Sequence, residues 1–136
     1  MTRRRSGSRD SRDYDDWLDF SYDDLQAAIT LMQNPECRNA AAFHCQQCIE
    51  KALKAFILYK TGKAVDGHNL TWLCKQAVKQ DTSLGEWLDE SAYLNRYYIQ
   101  TRYPSDEPLA LDEGKLQTVL KMAKDMYAAI CERVDI

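Results

Sequence analysis

Three groups of side chains in this chain have the chemistry to act on or hold another molecule. The first is Cys45-x-x-Cys48. A zinc site needs two further ligands at a matching spacing, and Cys37, Cys74 and Cys131 are scattered. A redox pair needs its attacking thiol at a helix N-terminus, where the dipole lowers the thiol pKa. Here the pair falls a turn or more inside a helical pattern and on its apolar side, so two structural thiols are expected. The second group is the two histidines. His44 lies on a polar stripe, where a surface residue, an acid–base group and a phosphate contact all stay open. His68 stands beside Asn69 at a helix start, where capping or docking of the loop is sufficient reason for it. The third is Arg102, one heptad after Asn95 and just before Pro104. An arginine brought toward a core at a helix end needs a partner. Asp106, Glu107 or Glu50 would make an internal ion pair, and a ligand carboxylate or phosphate would serve equally. No glycine-rich phosphate loop, GxSxG elbow or HExxH occurs.

The elements that must position these groups read as helices. Across residues 40–60, Ala41, Cys45, Cys48, Ala52, Phe56 and Tyr59 recur at gaps of three and four, and Ile49 and Leu53 widen the seam. A second stripe of the same helix carries His44, Gln47, Lys51 and Lys54. Glu50 precedes Lys54 by four residues, the favourable order for a helical ion pair, and Gln46 lies one turn before Glu50.

An earlier helix is expected over residues 13–32, with Leu18, Ser21, Leu25, Ala28 and Met32 as its seam. Asp13, Asp15, Asp16 and Asp19 crowd its start, where carboxylates meet the positive dipole end; they do not converge as metal ligands. Asn34-Pro35 ends it, and Thr61-Gly62-Lys63 ends the next. A short third helix begins at His68 or Asn69. The fourth opens on the capping-box spacing of Ser83 and Glu86, carries Trp87, Ser91, Leu94 and Tyr98 as its seam with Arg96 facing solvent, and stops at Pro104. The last starts near Asp112 and runs through Leu116, Val119, Leu120, Ala123, Met126 and Ile130. The fold class predicted is all-α: an up-and-down four-helix bundle with one short additional helix.

The chain has 136 residues, 29% charged and 45% hydrophobic, enough for one domain with its own core. No apolar run approaches the roughly 18 residues of a membrane span, and an odd number of unclustered cysteines suits a reducing compartment, so a cytoplasmic protein is expected. The net charge of −3 divides into +4 over residues 1–12 and −7 over the rest. Residues 1–12 are read as a basic, flexible arm with nucleic-acid contact as the alternative, and residues 13–136 as the domain.

Several of these residues, in this order, resemble the HEPN family in its prokaryotic single-domain form. They are Asp24-Leu25, Ala42-Phe43-His44-x-Gln46-Gln47-x-x-Glu50-Lys51-x-Leu53-Lys54, Gly67-His68-Asn69-Leu70, and Tyr98-x-x-x-Arg102-Tyr103-Pro104. The resemblance implies a homodimeric bundle whose gene accompanies a minimal nucleotidyltransferase in a two-gene, toxin–antitoxin-like module. It implies nucleotide or RNA-phosphate binding by Arg102, Lys51, Lys54, His44 and Gln47, with Glu50 and Asp106 as ion-pair partners, and neither a cofactor nor a metal. Ribonucleases of the family have an arginine and a later histidine with four to six residues between them. Those slots after Arg102 hold Glu107, Pro108 and Leu109, and after Arg96 they hold Thr101, Arg102 and Tyr103. A non-catalytic or weakly active binding module is therefore expected. The alternatives are a divergent metal-independent ribonuclease using His44 or His68, and a dimeric scaffold presenting exposed aromatics such as Tyr97 and Tyr103.

Overall fold

A computed structural model describes residues 13–98 and 111–134. The basic arm, Arg102, Tyr103, Pro104 and Asp106 lie outside the described residues. Five α-helices form an all-α bundle: α1 Tyr14–Leu31, α2 Arg38–Thr61, α3 Leu70–Gln80, α4 Leu88–Asn95 and α5 Glu113–Glu132. Among the described residues there is no strand, and no helix long and apolar enough to cross a membrane.

The 24-residue α2 is the axis of the bundle, packed against α1, α5 and α3. Its periodicity explains why. Ala41, Cys45, Cys48, Ile49, Ala52, Leu53 and Phe56 are all buried, as the seam requires. Small residues at Ala41, Ala42, Cys45, Cys48 and Ala52 let a neighbouring backbone come close. At the crossing with α1 the buried Ser21 hydroxyl donates to the Cys48 carbonyl at 2.6 Å. Pairs Tyr14–Tyr59, Ser21–Cys48 and Asp24–His44 run in opposite senses along the two helices, so α1 and α2 are antiparallel.

Side-chain caps fix three of the five helix starts. Asp13 accepts from the Asp15 amide, Asn69 from Trp72 and Asp112 from Lys115. Asn34 caps a 3₁₀ turn, Pro35–Cys37, that leads into α2. Gly62, at φ 72°, closes α2 with its amide on the Leu58 carbonyl, a left-handed cap that suits glycine.

The fourth helix departs from the sequence reading at both ends. Ser83 does not cap it. Asp81 takes the Ser83 amide at 3.0 Å and its hydroxyl at 2.6 Å, opening a 3₁₀ turn over Thr82–Trp87, and α4 begins only at Leu88. Asp81 also receives Arg133 Nε at 3.0 Å from the end of α5. The bonds from Ser83, with the Arg133 charge added, hold the Asp81 carboxyl below its ordinary value. At the other end α4 stops at Asn95, and the next amides bond three residues back, Tyr97 to Leu94 and Tyr98 to Asn95. At three residues per turn, Tyr97 inherits the buried position of Leu94, and Tyr98 leaves the seam. Tyr97 is therefore buried, not an exposed aromatic for a dimer interface.

The two thiols of the Cys-x-x-Cys pair pack in the core, as expected. Burial pushes the Cys45 thiol up to about 12 and raises Cys48 as well, despite the Ser21 hydrogen bond that pulls the other way. A thiolate is the reactive form. In native protein treated with iodoacetamide, Cys37 and Cys131 are expected to be carboxamidomethylated, while Cys45, Cys48 and Cys74 react only on unfolding. Peptide mass spectrometry reads this directly, and native labelling of Cys45 or Cys48 would contradict the burial.

Candidate functional site

The polar stripe of α2 is not a solvated face. Two carboxylates organise it, each holding one histidine and one lysine. Asp24, projecting from α1, takes His44 Nδ1 at 2.7 Å and Lys51 Nζ at 2.6 Å. Glu50, only 3% exposed, takes His68 Nδ1 at 2.8 Å and Lys54 Nζ at 3.0 Å. A carboxylate only accepts, so in both pairs the imidazole proton sits on Nδ1, and in the neutral ring Nε2 is left as the acceptor.

The second carboxylate is further fixed from its own helix. Gln47 donates its amide to Glu50 at 3.3 Å and to Gln46 at 2.7 Å, and the fully buried Gln46 donates to the His68 carbonyl at 3.2 Å. His68 thus arrives from the loop between α2 and α3 with both its ring and its backbone held. Asn95 locks the adjoining turn: its side chain accepts from the Leu70 amide at 2.7 Å and donates to Asn69 at 3.1 Å. The end of α4 is thereby tied to the start of α3.

Aromatic rings border the polar groups. Tyr98 stacks on His68 with centroids 4.4 Å apart and planes 15° apart, and it also faces Phe43 at 6.3 Å. Lys54 lies over the Trp17 ring and Lys51 over Phe20, at 5.4 and 5.9 Å. The His68 side chain is 51% exposed and that of Lys54 is 8% exposed. His44, Lys51 and His68 therefore form the accessible edge, and Lys54, Glu50 and Gln46 the foundation beneath it.

Of the sequence-derived site residues, His44, Gln47, Glu50, Lys51, Lys54 and His68 converge on this patch; Arg102 and Asp106 are outside the described residues. The lysines are not a free basic wall, because each carries a carboxylate. Asp24, Gln46, Tyr98 and Trp17 were missed as site residues. Asp24 had a usable signal: an acid three residues after Ser21, at the edge of a core seam, must find a partner. Tyr98 had none, since its position depends on the tightening of the chain after Asn95. Among the described residues, no group of three or more His, Cys, Asp or Glu side chains is placed to hold a metal ion.

A protein-family model, the HEPN domain, matches residues 14–134. Neither the curated proteins nor the solved structures contain a match to this sequence. The matched span takes in every helix described above and both carboxylate-centred clusters, so the chain belongs to the HEPN domain family.

Proposed function

We propose that this HEPN protein is a binding module without catalysis of its own. In this reading it acts as a homodimer with a minimal nucleotidyltransferase in a toxin–antitoxin-like module, and engages nucleotide or RNA phosphate at the α1–α2 edge. The observation that carries the binding reading is the buried Glu50–Lys54 pair beneath the exposed imidazole of His68. Core packing has no need of two charges and an amide network in its interior, since apolar residues of similar volume would serve stability as well. Their use is to hold a set of donors in one geometry. Lys51 has three N–H donors and commits one of them to Asp24, so it keeps donors for a phosphate oxygen. The face of Tyr98 and His68 is of the kind on which a base stacks. Arg102 follows Tyr98 by four residues, at most about 14 Å of extended chain, which keeps it within range of the patch.

Calorimetric titration of the full chain with ATP, and with a short single-stranded RNA, tests this. Wild-type binding should weaken at least about tenfold in Arg102→Ala and in Lys51→Ala, the loss of one charge-assisted hydrogen bond. Unchanged binding in both would put the site elsewhere, and no binding by wild type would leave only the protein-partner reading.

A second reading has one observation in its favour. Both histidines are oriented by a carboxylate on Nδ1 with Nε2 left to accept, the arrangement a general base uses. It predicts RNA cleavage that persists in chelator and disappears in His44→Ala or His68→Ala. Intact RNA after prolonged incubation with wild type would end it.

A further inference from the structure

The site above occupies the α1–α2 edge, and a second surface of different character lies on α3. Leu70, Leu73, Cys74 and Ala77 bury one side of this 11-residue helix. At 100° per residue, Trp72, Lys75, Gln76 and Lys79 fall on the opposite side. Trp72 is 45% exposed, one of two large hydrophobic side chains left in water among the described residues. It adds a half-exposed indole to a face whose other members are polar.

The charge of that face is equally unusual. The α3 sequence LTWLCKQAVKQ contains two lysines and no acid, whereas every other helical segment among the described residues has at least one acid. Lys51 and Lys54 are neutralised by carboxylates, but Lys75 and Lys79 have no carboxylate partner among the described residues; Lys79 donates to Gln76 at 3.2 Å. A basic face on a domain whose net charge is −7 is electrostatically distinct from its surroundings.

We propose that the outer face of α3, built on Trp72, Lys75 and Lys79, docks an acidic segment of a different protein, which sets an apolar side chain against the indole and its carboxylates toward the two ammonium groups that follow it along the helix. An exposed tryptophan beside charges of one sign has the composition of an interface anchor with a polar rim. Nucleic acid fits less well. Two lysines neutralise few phosphates, and the acidic body repels the remainder of a polyanion. A second copy fits less well too. Its exposed acidic and apolar pair on a described helix is Asp23 with Phe20 on α1, and a contact between two different faces of one chain propagates instead of closing into a dimer. This inference does not depend on the phosphate reading, because none of its residues belongs to the α1–α2 edge.

The test uses the full chain and a fluorescein-labelled helical peptide with leucines at i, i+3, i+4 and i+7 among aspartates and glutamates, followed by anisotropy. Wild type is expected to bind it, with affinity falling on added salt and dropping at least about tenfold in Trp72→Ala and in the double variant Lys75→Glu/Lys79→Glu. The thermal melts of both variants should match wild type, since the face is exposed. The same peptide with lysines in place of its acids should not bind. Failure of the acidic peptide to bind, equal binding of the basic peptide, or affinity unchanged in both variants overturns the proposal. So does Trp72-dependent self-association in sedimentation velocity, or Trp72-dependent binding of single-stranded RNA, either of which gives the face to another occupant.

Discussion

Replacing Glu50 by alanine is expected to destabilise the fold by about 3–5 kcal/mol, the cost of leaving a buried charge without its partner. The charge in question is Lys54, whose side chain is 8% exposed and whose Nζ lies 3.0 Å from Glu50. The Trp17 ring, 5.4 Å from Nζ, offsets part of the loss. That favours the lower end of the range, because a cation–π contact contributes about 2 kcal/mol when desolvated. Against a total stability of about 5–15 kcal/mol for a single domain, the change is large. It shows as a lower urea midpoint at unchanged slope in equilibrium unfolding. A double variant, Glu50→Leu with Lys54→Met, separates the causes. Removing both charges should recover most of the stability, because a buried ion pair adds little over apolar residues of the same size. The double variant would still lack the carboxylate that holds His68, so it would fold and bind poorly. A Glu50→Ala protein within about 1 kcal/mol of wild type would mean that Lys54 reaches water after all.

The bundle was legible because a period of 3.6 repeated over 24 residues leaves little freedom: every apolar residue from Ala41 to Phe56 on the α2 seam is buried as its spacing requires. Proline and glycine marked the ends for the same local reason. The fourth helix was misread where two local signals competed. Ser83 and Glu86 have the spacing of a capping box, but Asp81 stands two residues earlier, accepts both the amide and the hydroxyl of Ser83, and gains Arg133 from a helix distant in sequence. No local rule weighs that third contact. The exchange of Tyr97 and Tyr98 has a similar cause: one turn tightened to three residues rotates both side chains away from their α-helical angles.

The candidate site was legible by halves. Its α2 members share one helix, so their convergence follows from spacing alone, and the Glu50–Lys54 pair follows from a gap of four in the favourable order. Its other half comes from chain separated by 18 to 27 residues, Asp24 on α1 and His68 in a loop. A helical wheel of α2 cannot show that its lysines meet carboxylates, and so it reads a compensated cluster as a basic stripe. The compensation changes the chemistry expected of the patch. A free basic stripe would attract any anion, whereas paired lysines respond to a ligand that supplies better geometry than the carboxylate already present.

The second large effect belongs to the core. Phe56→Ala is expected to cost about 3–5 kcal/mol, the transfer free energy of the ring plus the cavity it leaves. Phe56 is fully buried on the α2 seam, one turn beyond Ala52 and beside Ala55. Alanines cannot extend into the space vacated, and a 24-residue helix held by α1, α3 and α5 cannot shift as a unit to close it. The cavity therefore stays open, which favours the upper part of the range. Trp72→Ala provides the contrast. It deletes a larger aromatic side chain from the exposed face of α3, and its effect on stability should stay within about 0.5 kcal/mol. Urea unfolding of the two variants side by side thus asks whether burial or aromatic size sets the cost. A loss at Trp72 as large as that at Phe56 would refute the exposed placement of Trp72, and a small loss at Phe56 would show that α1 and α5 can collapse onto the vacated seam.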